Sequence, residues 1–499
     1  MTRLLLATTA LVAASAAWAH QAAAQTAFTP GNLLVSRSTY VAPPNLIIPG
    51  VTVLPGGAGA TAVASAAYPG VFANETPDPS FGITSPIIID QLTRAGTLVS
   101  TQTINGITTS FPSKSELGLS LSADRTSVTF MGYNAAANTL DVSNANTPGH
   151  PDSTNPVQLT YQRSVATLNT GGYVTLQPVD AYSGNNGRNA VTGLNGTTYL
   201  VGNAGNGTKA ATAAVLADQL ANTGVQIVKP GTSTTTSAGA YNVTQNGYAA
   251  DKPSKDSNFR GETIFNNTLY ATKGSGGNGI NTVYQVGAAG TLPTGGSAIT
   301  ILPGFNTRLA ADDTAKASPT PIDQQFHPFG LFFADATTLY VADEGVAGQG
   351  ANGTALPAQA GLEKWSLVGG TWVEDYVLQA GLDTGAYGVP GLDPQYNPTT
   401  TGLRNLAGIV NPDGTVSLYA VTATSNALTD QGGDSNSVLA ITDSLAARTL
   451  PAGERFTTLA GPAYATVYRG VSETPVPEPA TLAVLAAGLL GLTAYRRRG

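Results

Sequence analysis

A short strand with an aromatic residue at its centre recurs along the chain at a nearly constant interval, and this constrains the fold more than any other feature. The aromatic anchors are Phe130, Tyr199, Tyr270, Tyr340 and Tyr419, so successive anchors lie 69, 71, 70 and 79 residues apart. A fixed period indicates a repeat architecture in which one supersecondary unit is copied along the chain. We therefore expect each such interval to build one unit.

Each anchor lies within the same pattern of short β-strands. A strand and a tight turn precede it, and the turns contain Asn-Gly or Asp-Gly pairs, which form hairpins because these residues tolerate positive φ. A glycine-rich loop and two further strands follow, at 282–286 and 298–302, 362–367 and 372–378, and 437–441 and 456–459. Four successive antiparallel strands without intervening helices predict an all-β fold, a β-propeller built of four-stranded blades, rather than an α/β fold.

The composition agrees with a turn-rich β protein and excludes several functional classes. Only 11% of the 499 residues are charged, against about 25% in an average soluble domain. The chain has 58 glycines and no cysteine, so a disulfide framework, a thiolate metal site and a cysteine nucleophile are all excluded. A net charge of −7 and the lack of a basic run within the body argue against nucleic-acid binding.

The two ends of the body supply the parts of one further blade. A first strand is left over at 466–471, and the N-terminal part offers a second strand at 32–36, a third at 86–90 and a fourth at 97–100. Their pairing would close the ring and remove exposed strand edges. Five internal blades and this composite blade predict six blades within residues 28–473. Seven blades are the alternative if the 36–85 insertion, which we interpret as a long surface loop, contains strands.

The blades resemble a known group of propellers. Tyr340-Val341-Ala342-Asp343 is the closest match to the repeats of secreted NHL-type and gluconolactonase-like six-bladed propellers. The resemblance covers the repeat pattern alone. It implies the fold and says little about activity, because propellers carry many unrelated functions.

The N-terminus reads as a secretory signal peptide over residues 1–24. Arg3 supplies the positive start, and an apolar run follows that is short for a membrane span. Ala17-Trp18-Ala19 forms an A-x-A cleavage site through Ala17 and Ala19, and a second option lies at 22–24. We therefore expect the protein to be exported.

The C-terminus, residues 474–499, carries a second targeting segment. Sixteen apolar or small residues at 480–495 would form a helix of about 24 Å, which arginines at its end can extend across the bilayer by snorkelling. The sequence therefore predicts a transmembrane helix at 480–495, with the arginines on the cytoplasmic side. The residues that flank the apolar run are Val476, Pro477, Glu478 and Pro479 before it and Arg496, Arg497 and Arg498 after it.

This order of parts resembles the PEP-CTERM sorting signal of Gram-negative bacteria. The resemblance covers residues 476–499 and implies recognition and cleavage by exosortase, a membrane protease, so that a transient inner-membrane anchor precedes attachment at the cell surface or release. Such signals are typical of bacteria that make exopolysaccharide. An ordinary uncleaved anchor is the alternative. Loss of Arg3 and the three terminal arginines leaves 19 basic against 30 acidic residues, a net charge of −11.

The motifs that usually carry chemistry are absent from the sequence. Only His150 and His327 remain after signal removal, so a multi-histidine metal site is excluded, and we expect no metal and no cofactor. The Gly-rich run at 274–279 matches G-x-G-x-x-G formally, but a strand follows it instead of a helix that could hold a pyrophosphate. The acidic pairs at 312–313 and 343–344 lack the spacing of a calcium loop and are interpreted as solvated charges.

One set of residues recurs at an equivalent position, the beginning of the strand that we expect to line the central channel. Four of these strands begin with arginine, the fifth with histidine, and the sixth lies near a glutamate. Convergent guanidinium groups could bind a carboxylate or phosphate. The structural alternative is that each arginine ties its blade to the next through backbone carbonyls or an acid such as Glu262. The candidate ligand-binding residues are Arg188, Arg260, His327, Arg404, Arg469 and Glu116.

Two functional hypotheses follow. The first is an exported, non-enzymatic propeller at the cell surface or in the matrix, which binds exopolysaccharide or other surface proteins. The second is an extracellular lactonase or glycan-acting enzyme with its site at the channel mouth and His327 as general base. Trp365 and Trp372 could stack on sugars, but we interpret them as packing against each other between adjacent strands. Paired arginines would favour the first hypothesis, and an open site with unpaired arginines the second.

Overall fold

The structure is a computed structural model and describes residues 27–40, 46–56, 59–64, 72–73, 82–205, 213–314, 325–346, 359–425 and 432–477. The predicted signal cleavage site at Ala17 and Ala19 lies outside the described residues. So do Glu478, Pro479, the predicted transmembrane helix at 480–495 and the arginines Arg496 to Arg498. Val476 and Pro477 are described.

The regular secondary structure of the described residues is almost entirely β-strand. Its first nine strands are β1 (Leu33–Thr39), β2 (Val63–Ala64), β3 (Phe72–Ala73), β4 (Thr84–Leu92), β5 (Leu98–Ser110), β6 (Ser120–Leu121), β7 (Ser127–Tyr133), β8 (Arg163–Asn169) and β9 (Val174–Val179). The next eight are β10 (Gly187–Thr192), β11 (Thr198–Gly202), β12 (Gly224–Val228), β13 (Thr236–Gly239), β14 (Glu262–Phe265), β15 (Thr268–Lys273), β16 (Thr282–Val286) and β17 (Ile299–Ile301). The last nine are β18 (Pro328–Asp335), β19 (Thr338–Asp343), β20 (Gly361–Val368), β21 (Thr371–Leu378), β22 (Thr399–Val410), β23 (Thr415–Ser425), β24 (Val438–Ser444), β25 (Thr457–Ala460) and β26 (Thr466–Glu473).

These strands form antiparallel sheets in which neighbours along the chain are neighbours in the sheet. Four separate four-stranded sheets appear in the described part of the chain, with orders β10-β11-β12-β13, β14-β15-β16-β17, β18-β19-β20-β21 and β22-β23-β24-β25. The remaining long strands form an eight-stranded sheet, β26-β1-β4-β5-β7-β8-β9 with β6 paired to β7. The arrangement of successive four-stranded sheets is propeller-like, as the sequence predicts.

The predicted pairing between the two chain ends is present. β1 pairs with β26 from Leu33 opposite Glu473 to Thr39 opposite Thr466, and its other edge pairs with β4. The four strands expected for the composite blade therefore stand side by side in the predicted order, β26, β1, β4 and β5. A single residue pair, Thr108 opposite Tyr133, links β5 to β7 and joins these four strands to the next four.

The core lies between neighbouring sheets. The aromatic anchors Phe130, Tyr199 and Tyr340 are each at most 1% exposed. Tyr199 of β11 belongs to the same apolar cluster as Tyr284 of β16 in the next sheet. Inner strands are covered on both faces, so β12 is buried at every position, whereas outer strands such as β21 alternate between buried and exposed residues. This explains why the anchors are apolar runs centred on an aromatic ring.

The 36–85 insertion is more structured than a surface loop. Within its described residues, β2 and β3 pair with each other, and Val53 bridges Thr61. Leu54 and Ala62 are buried in one apolar cluster with Phe111 and Val467. The insertion therefore packs onto the body at the end where β26 begins.

The α-helices of the described residues are few and short. They are α1 (Ala213–Asn222), α2 (Pro253–Asp256) and α3 (Ala310–Thr314), all in connections between strands. Within the ranges given above, no helix is long and apolar enough to cross a membrane.

Candidate functional site

The segment of residues 111–118, here called the mouth segment, lies among the starts of the strands that carry the candidate residues. It enters from β5 and leads to β6. The Gly118 N–H donates to the carbonyl of Arg188 at 3.3 Å, and the Ser113 hydroxyl accepts from the Asn186 amide at 3.1 Å. On the opposite side, Gly432 packs against the backbone of the mouth segment. The protein's own chain therefore packs against the strands that the sequence predicts around a channel mouth.

The four arginines are buried and bonded within the protein. Arg188 is 2% exposed, and its Nη1 donates to Asn258 Oδ1 and, at 2.5 Å, to the carbonyl of Phe259 before the next sheet. The guanidinium of Arg260 donates to the hydroxyls of Ser115 and Ser275. Burial and the neighbouring Arg260 lower the pKa of Arg188 well below its usual value. These cations link one part of the body to another.

Arg469 and Arg404 follow the same pattern. Arg469 Nη2 donates to the carbonyls of Phe111, in the mouth segment, and Gly432, at 2.8 Å for the latter. Arg404 Nε lies 3.1 Å from Glu344 Oε2, and both side chains are 5% exposed. Lys114 of the mouth segment lies 3.0 Å from the other oxygen, Glu344 Oε1.

Glu344 is thus shared by two cations from different parts of the chain. Its burial alone would raise its pKa, but Lys114, Arg404 and Arg260 outweigh this and hold the pKa of Glu344 at about 2. Burial lowers the pKa of Lys114, with Glu344 opposing the effect. The acid–base triplet of Lys114, Glu344 and Arg404 is therefore an internal ionic bridge across the mouth segment.

Glu116 and the Nδ1 atom of His327 are also committed to internal bonds, whereas His327 Nε2 is buried with no hydrogen-bond partner among the described residues. The Glu116 carboxylate accepts from the Tyr133 hydroxyl at 2.6 Å, from the Ser110 N–H at 2.9 Å and from the Thr109 hydroxyl at 2.8 Å. Its burial raises its pKa. His327 Nδ1 lies 2.8 Å from the carbonyl of Gly274, and burial lowers the pKa of this imidazole.

Glu262 differs from these residues. The sequence suggests it as an acid that could pair with an arginine, but Arg404 pairs with Glu344 instead. Both carboxyl oxygens of Glu262 are buried with no hydrogen-bond partner among the described residues. Burial raises the pKa of Glu262 well above its usual value, so its neutral acid form is favoured. Residue 262 also lines a cavity of about 250 Å³ beyond the mouth segment, between the first strands of the sheets.

Sequence reasoning missed the role of the mouth segment and of Lys114. The residues of the mouth segment have no strand periodicity. A single lysine in a loop also gives no signal that it contacts Glu344, which lies 230 positions away in the chain. Among the described residues, no group of three or more His, Asp or Glu side chains could hold a metal ion. The acidic pair at 343–344 is buried, so the prediction that these were solvated charges is wrong.

The two tryptophans of the β20–β21 hairpin are core residues. Trp365 is 8% exposed and stacks on Phe305 with ring centroids 4.1 Å apart. Trp372 is 6% exposed and meets the ring of Phe333 edge-on at 5.8 Å. Neither ring forms a platform for a sugar.

A second polar cluster surrounds His150, beside a pocket of about 240 Å³ under α1. His150 Nδ1 lies 2.7 Å from Asp218 Oδ1 of α1, and its Nε2 lies 3.7 Å from Asp180 Oδ2. The ionic contacts with Asp180 and Asp218 outweigh the effect of burial and raise the pKa of His150 to about 9. The imidazolium therefore ties α1 to the segment after β9.

The C-terminal tail matches a known motif. Residues 475–498 match the PEP-CTERM protein-sorting motif. This motif implies an exported protein that exosortase recognises, with membrane-anchored sorting to the cell surface. No curated protein matches the chain.

Several solved structures share a distant likeness with the chain. The N-terminal domain of Nup159 aligns with 9% identity and a TM-score of 0.30, over 91% of this chain and 92% of that one. The hemagglutinin-neuraminidase of parainfluenza virus 5 aligns with 9% identity and a TM-score of 0.31, over 77% and 84%. A polysaccharide lyase of family PL25, an ulvan lyase, aligns with 10% identity and a TM-score of 0.29, over 89% and 97%. At these TM-scores the likenesses carry no argument.

Proposed function

We propose that this exosortase-sorted, exported protein is a six-bladed propeller that serves as a non-catalytic scaffold at the cell surface or in the extracellular matrix. It would present its loops to exopolysaccharide or to other surface proteins. The observation that carries the proposal is the use of the channel-mouth arginines, which bond to the mouth segment and to neighbouring sheets. A scaffold needs such internal ties, whereas an anion site needs convergent cations that a ligand can reach.

The six-bladed ring is supported by contacts between first strands. Gly470 of β26 packs against Leu117 and Leu119 at the start of the first internal blade. The pairing of β26 with β1 places the composite blade next to that one. The axial cavity also receives residues from six first strands, β6, β10, β14, β18, β22 and β26.

The enzymatic alternative requires groups that are free to react with a substrate. Arg188 and Arg404 donate to partners in the protein, and the Glu344 carboxylate is neutralised by two cations. His327 Nδ1 contacts a backbone carbonyl, and the ring is largely buried. A lactonase or lyase would have to break this network before a substrate could enter.

The experiment combines ligand binding with stability. Purified protein is screened on glycan arrays and against native exopolysaccharide, and Arg404→Gln is compared with Arg448→Gln, whose side chain is 51% exposed. On a scaffold, Arg404→Gln lowers the melting temperature and leaves the affinity for a bound glycan unchanged, and Arg448→Gln changes neither. A glycan or lactone that is turned over by the wild type but not by His327→Ala would establish the enzyme instead.

A further inference from the structure

The start of the sorting motif is fastened to the body. Thr474 is 1% exposed, its N–H donates to the carbonyl of Asn32 at 2.9 Å, and its hydroxyl donates to the carbonyl of Thr29 at 2.9 Å. The Val476 N–H then donates to the carbonyl of Arg125 at 2.8 Å. The chain is therefore held against the fold as far as the first residues of the motif.

The point of exit lies at one definite end of the molecule. Arg125 is in the β6–β7 turn, and Glu473 closes β26. Both line the axial cavity, together with the distal ends of the other first strands. Because the sheets are antiparallel meanders, the turns between first and second strands and between third and fourth strands lie at this end. We call this end the tight-turn face.

The distance from this face to the apolar segment is short. Three steps along the chain separate Pro477 from Ala480, and a fully extended chain spans at most about 11 Å in three steps. The headgroup layer on one side of a bilayer takes up about 5–8 Å of that distance. Only a few ångströms remain, so a membrane-anchored chain cannot hold its body clear of the lipid surface.

The tight-turn face exposes apolar side chains that can contact lipid. In five of the six strand sets its turns expose a large apolar side chain that is between 44% and 67% accessible. Single exposed apolar residues are ordinary on protein surfaces, but here they share the face from which the sorting motif leaves. These side chains are Leu98, Tyr173, Leu194, Val368, Val410 and Leu450. The insertion exposes a comparable set, including Leu46, Val51 and Val53, so it is the short tether that selects the tight-turn face.

The charges on the tight-turn face do not by themselves hold it on a lipid surface, so its contact with the membrane would depend on the tether. Basic and acidic residues are interspersed, and Arg125 is paired with Glu473 at 2.9 Å. Electrostatic attraction to anionic lipid is therefore weak, and a few separate apolar side chains bind a membrane only marginally without an anchor. The contact would end when the anchor is removed.

We propose that the tight-turn face rests on the lipid bilayer while the sorting segment anchors the chain. The bilayer would then cover the end of the 250 Å³ cavity that Arg125 and Glu473 line, and the opposite face would point away from the membrane. The opposite face carries the 36–85 insertion and the pocket beside His150. The insertion connects the second and third strands of its sheet, which places it at the far end.

The absence of cysteine allows a direct test by single-cysteine labelling of the full-length chain. Leu194→Cys, at a tight turn, is compared with Val53→Cys, in the insertion, because the two native side chains have similar exposure, 67% and 61%. The precursor is kept anchored in cells without exosortase and treated with a maleimide that carries a large polyethylene glycol. Labelling at position 194 is expected to be at least about fivefold slower than at position 53, because the bilayer excludes the reagent from that face.

A matched chain with a long Gly-Ser insertion after Pro477 keeps the anchor and removes the short tether. In that chain the two positions are expected to react at the same rate. Equal rates in the parent chain would overturn the proposal, as would slow labelling at position 194 that persists with the linker. Protection that appears only in cells containing exosortase would assign the face to the protease instead of the bilayer.

Discussion

At the level of single residues, the candidate site is an ionic network with one acid at its centre. Glu344 holds Arg404 and Lys114, and all three would be costly to bury alone. Removing one partner of a buried ion pair leaves an uncompensated charge, whereas an exposed pair contributes little. We therefore expect the loss of the Glu344 charge to destabilise the fold more than the loss of a surface carboxylate.

Glu344→Gln is expected to lower the free energy of unfolding by about 3 kcal/mol, because the buried Arg404 and the partly exposed Lys114 lose their counter-charge. Chemical denaturation measures this. Because the pKa of Glu344 is depressed to about 2 in the folded state, its contribution is complete above the ordinary glutamate pKa and is lost as the pH falls towards 2. The acid-induced loss of stability should therefore be smaller in the variant.

Glu473→Gln serves as the control for Glu344→Gln. Its partner Arg125 is 51% exposed, so the change should stay below about 1 kcal/mol. Equal destabilisation by the two substitutions would contradict the central role of Glu344.

Replacing Glu262 is expected to raise the free energy of unfolding, in contrast to replacing Glu344. Its pKa is raised by burial, so the unfolded chain ionises at a lower pH than the folded chain, and stability is lost as the pH rises above the ordinary glutamate value. Glu262→Gln removes this penalty. The variant should be more stable than the wild type by about 1 kcal/mol or more at neutral pH, and the difference should shrink towards pH 4. Denaturation at the two pH values checks this, and a difference that does not vary with pH would contradict it.

The sequence predicts which strands carry the arginines but not what the arginines bind. Arg188 lies near the start of β10, as predicted, whereas Arg404 and Arg469 lie within β22 and β26 instead of at their first residues. Their partners come from the mouth segment and from backbone carbonyls, which have no sequence signature. The distinction between an anion site and a set of internal ties therefore depends on long-range geometry.

At the level of elements, the repeat of strand, turn and aromatic anchor predicts the sheets well. Asp-Gly at Asp413-Gly414 and the aromatic residue at Tyr419 are local signals, so β22 and β23 are recognised from their own residues. α1 has no such signal, because its alanine-rich stretch lies in a connection between strands. The insertion is misjudged for a similar reason, since its proline and glycine content hides short strands that packing onto the body stabilises.

Glycine in the first strands permits their close approach. A methyl group at residue 470 would lie 2.6 Å from the backbone nitrogen of Leu119 and 2.8 Å from the carbonyl oxygen of Leu117. Gly470→Ala must push two backbones apart and is expected to cost about 1–3 kcal/mol of unfolding free energy. Gly388→Ala is the matched control, because no atom lies within 4 Å of its added methyl group. Thermal and urea unfolding of both variants test the prediction, and a neutral Gly470→Ala would contradict this packing.

α1 depends on the charge of His150. The pKa of His150 is raised to about 9, so its stabilising contacts with Asp180 and Asp218 are complete below its ordinary pKa of 6.5 and are lost as the pH rises through about 9. His150→Gln should increase amide exchange in α1 at neutral pH, because the helix loses its tie. Exchange in β11 provides the internal control and should not change. Equal protection of α1 in both proteins would show that packing alone holds the helix.

At the level of the whole molecule, many of the few charged residues lie inside the fold. Lys364 and Asp443 form a pair with both side chains fully buried, and Lys273 is buried with its pKa lowered to about 7. Much of the small charge complement thus lies between sheets, where it fixes their relative positions. This burial of charge is compatible with the scaffold that we propose.

The joining of the chain ends gives the last prediction. β26 supplies the partner for one edge of β1, and the first residues of the sorting motif continue directly from it. Removing residues 466–499 would expose the whole edge of β1 from Leu33 to Thr39, and such an edge pairs readily with other chains. The truncated protein should therefore melt at a lower temperature and aggregate in proportion to its concentration. A chain that ends after Pro477 keeps β26 and should remain monomeric, as measured by light scattering. If both truncations behave alike, the ends do not stabilise the fold, and the six-bladed closure that we propose would have to be abandoned.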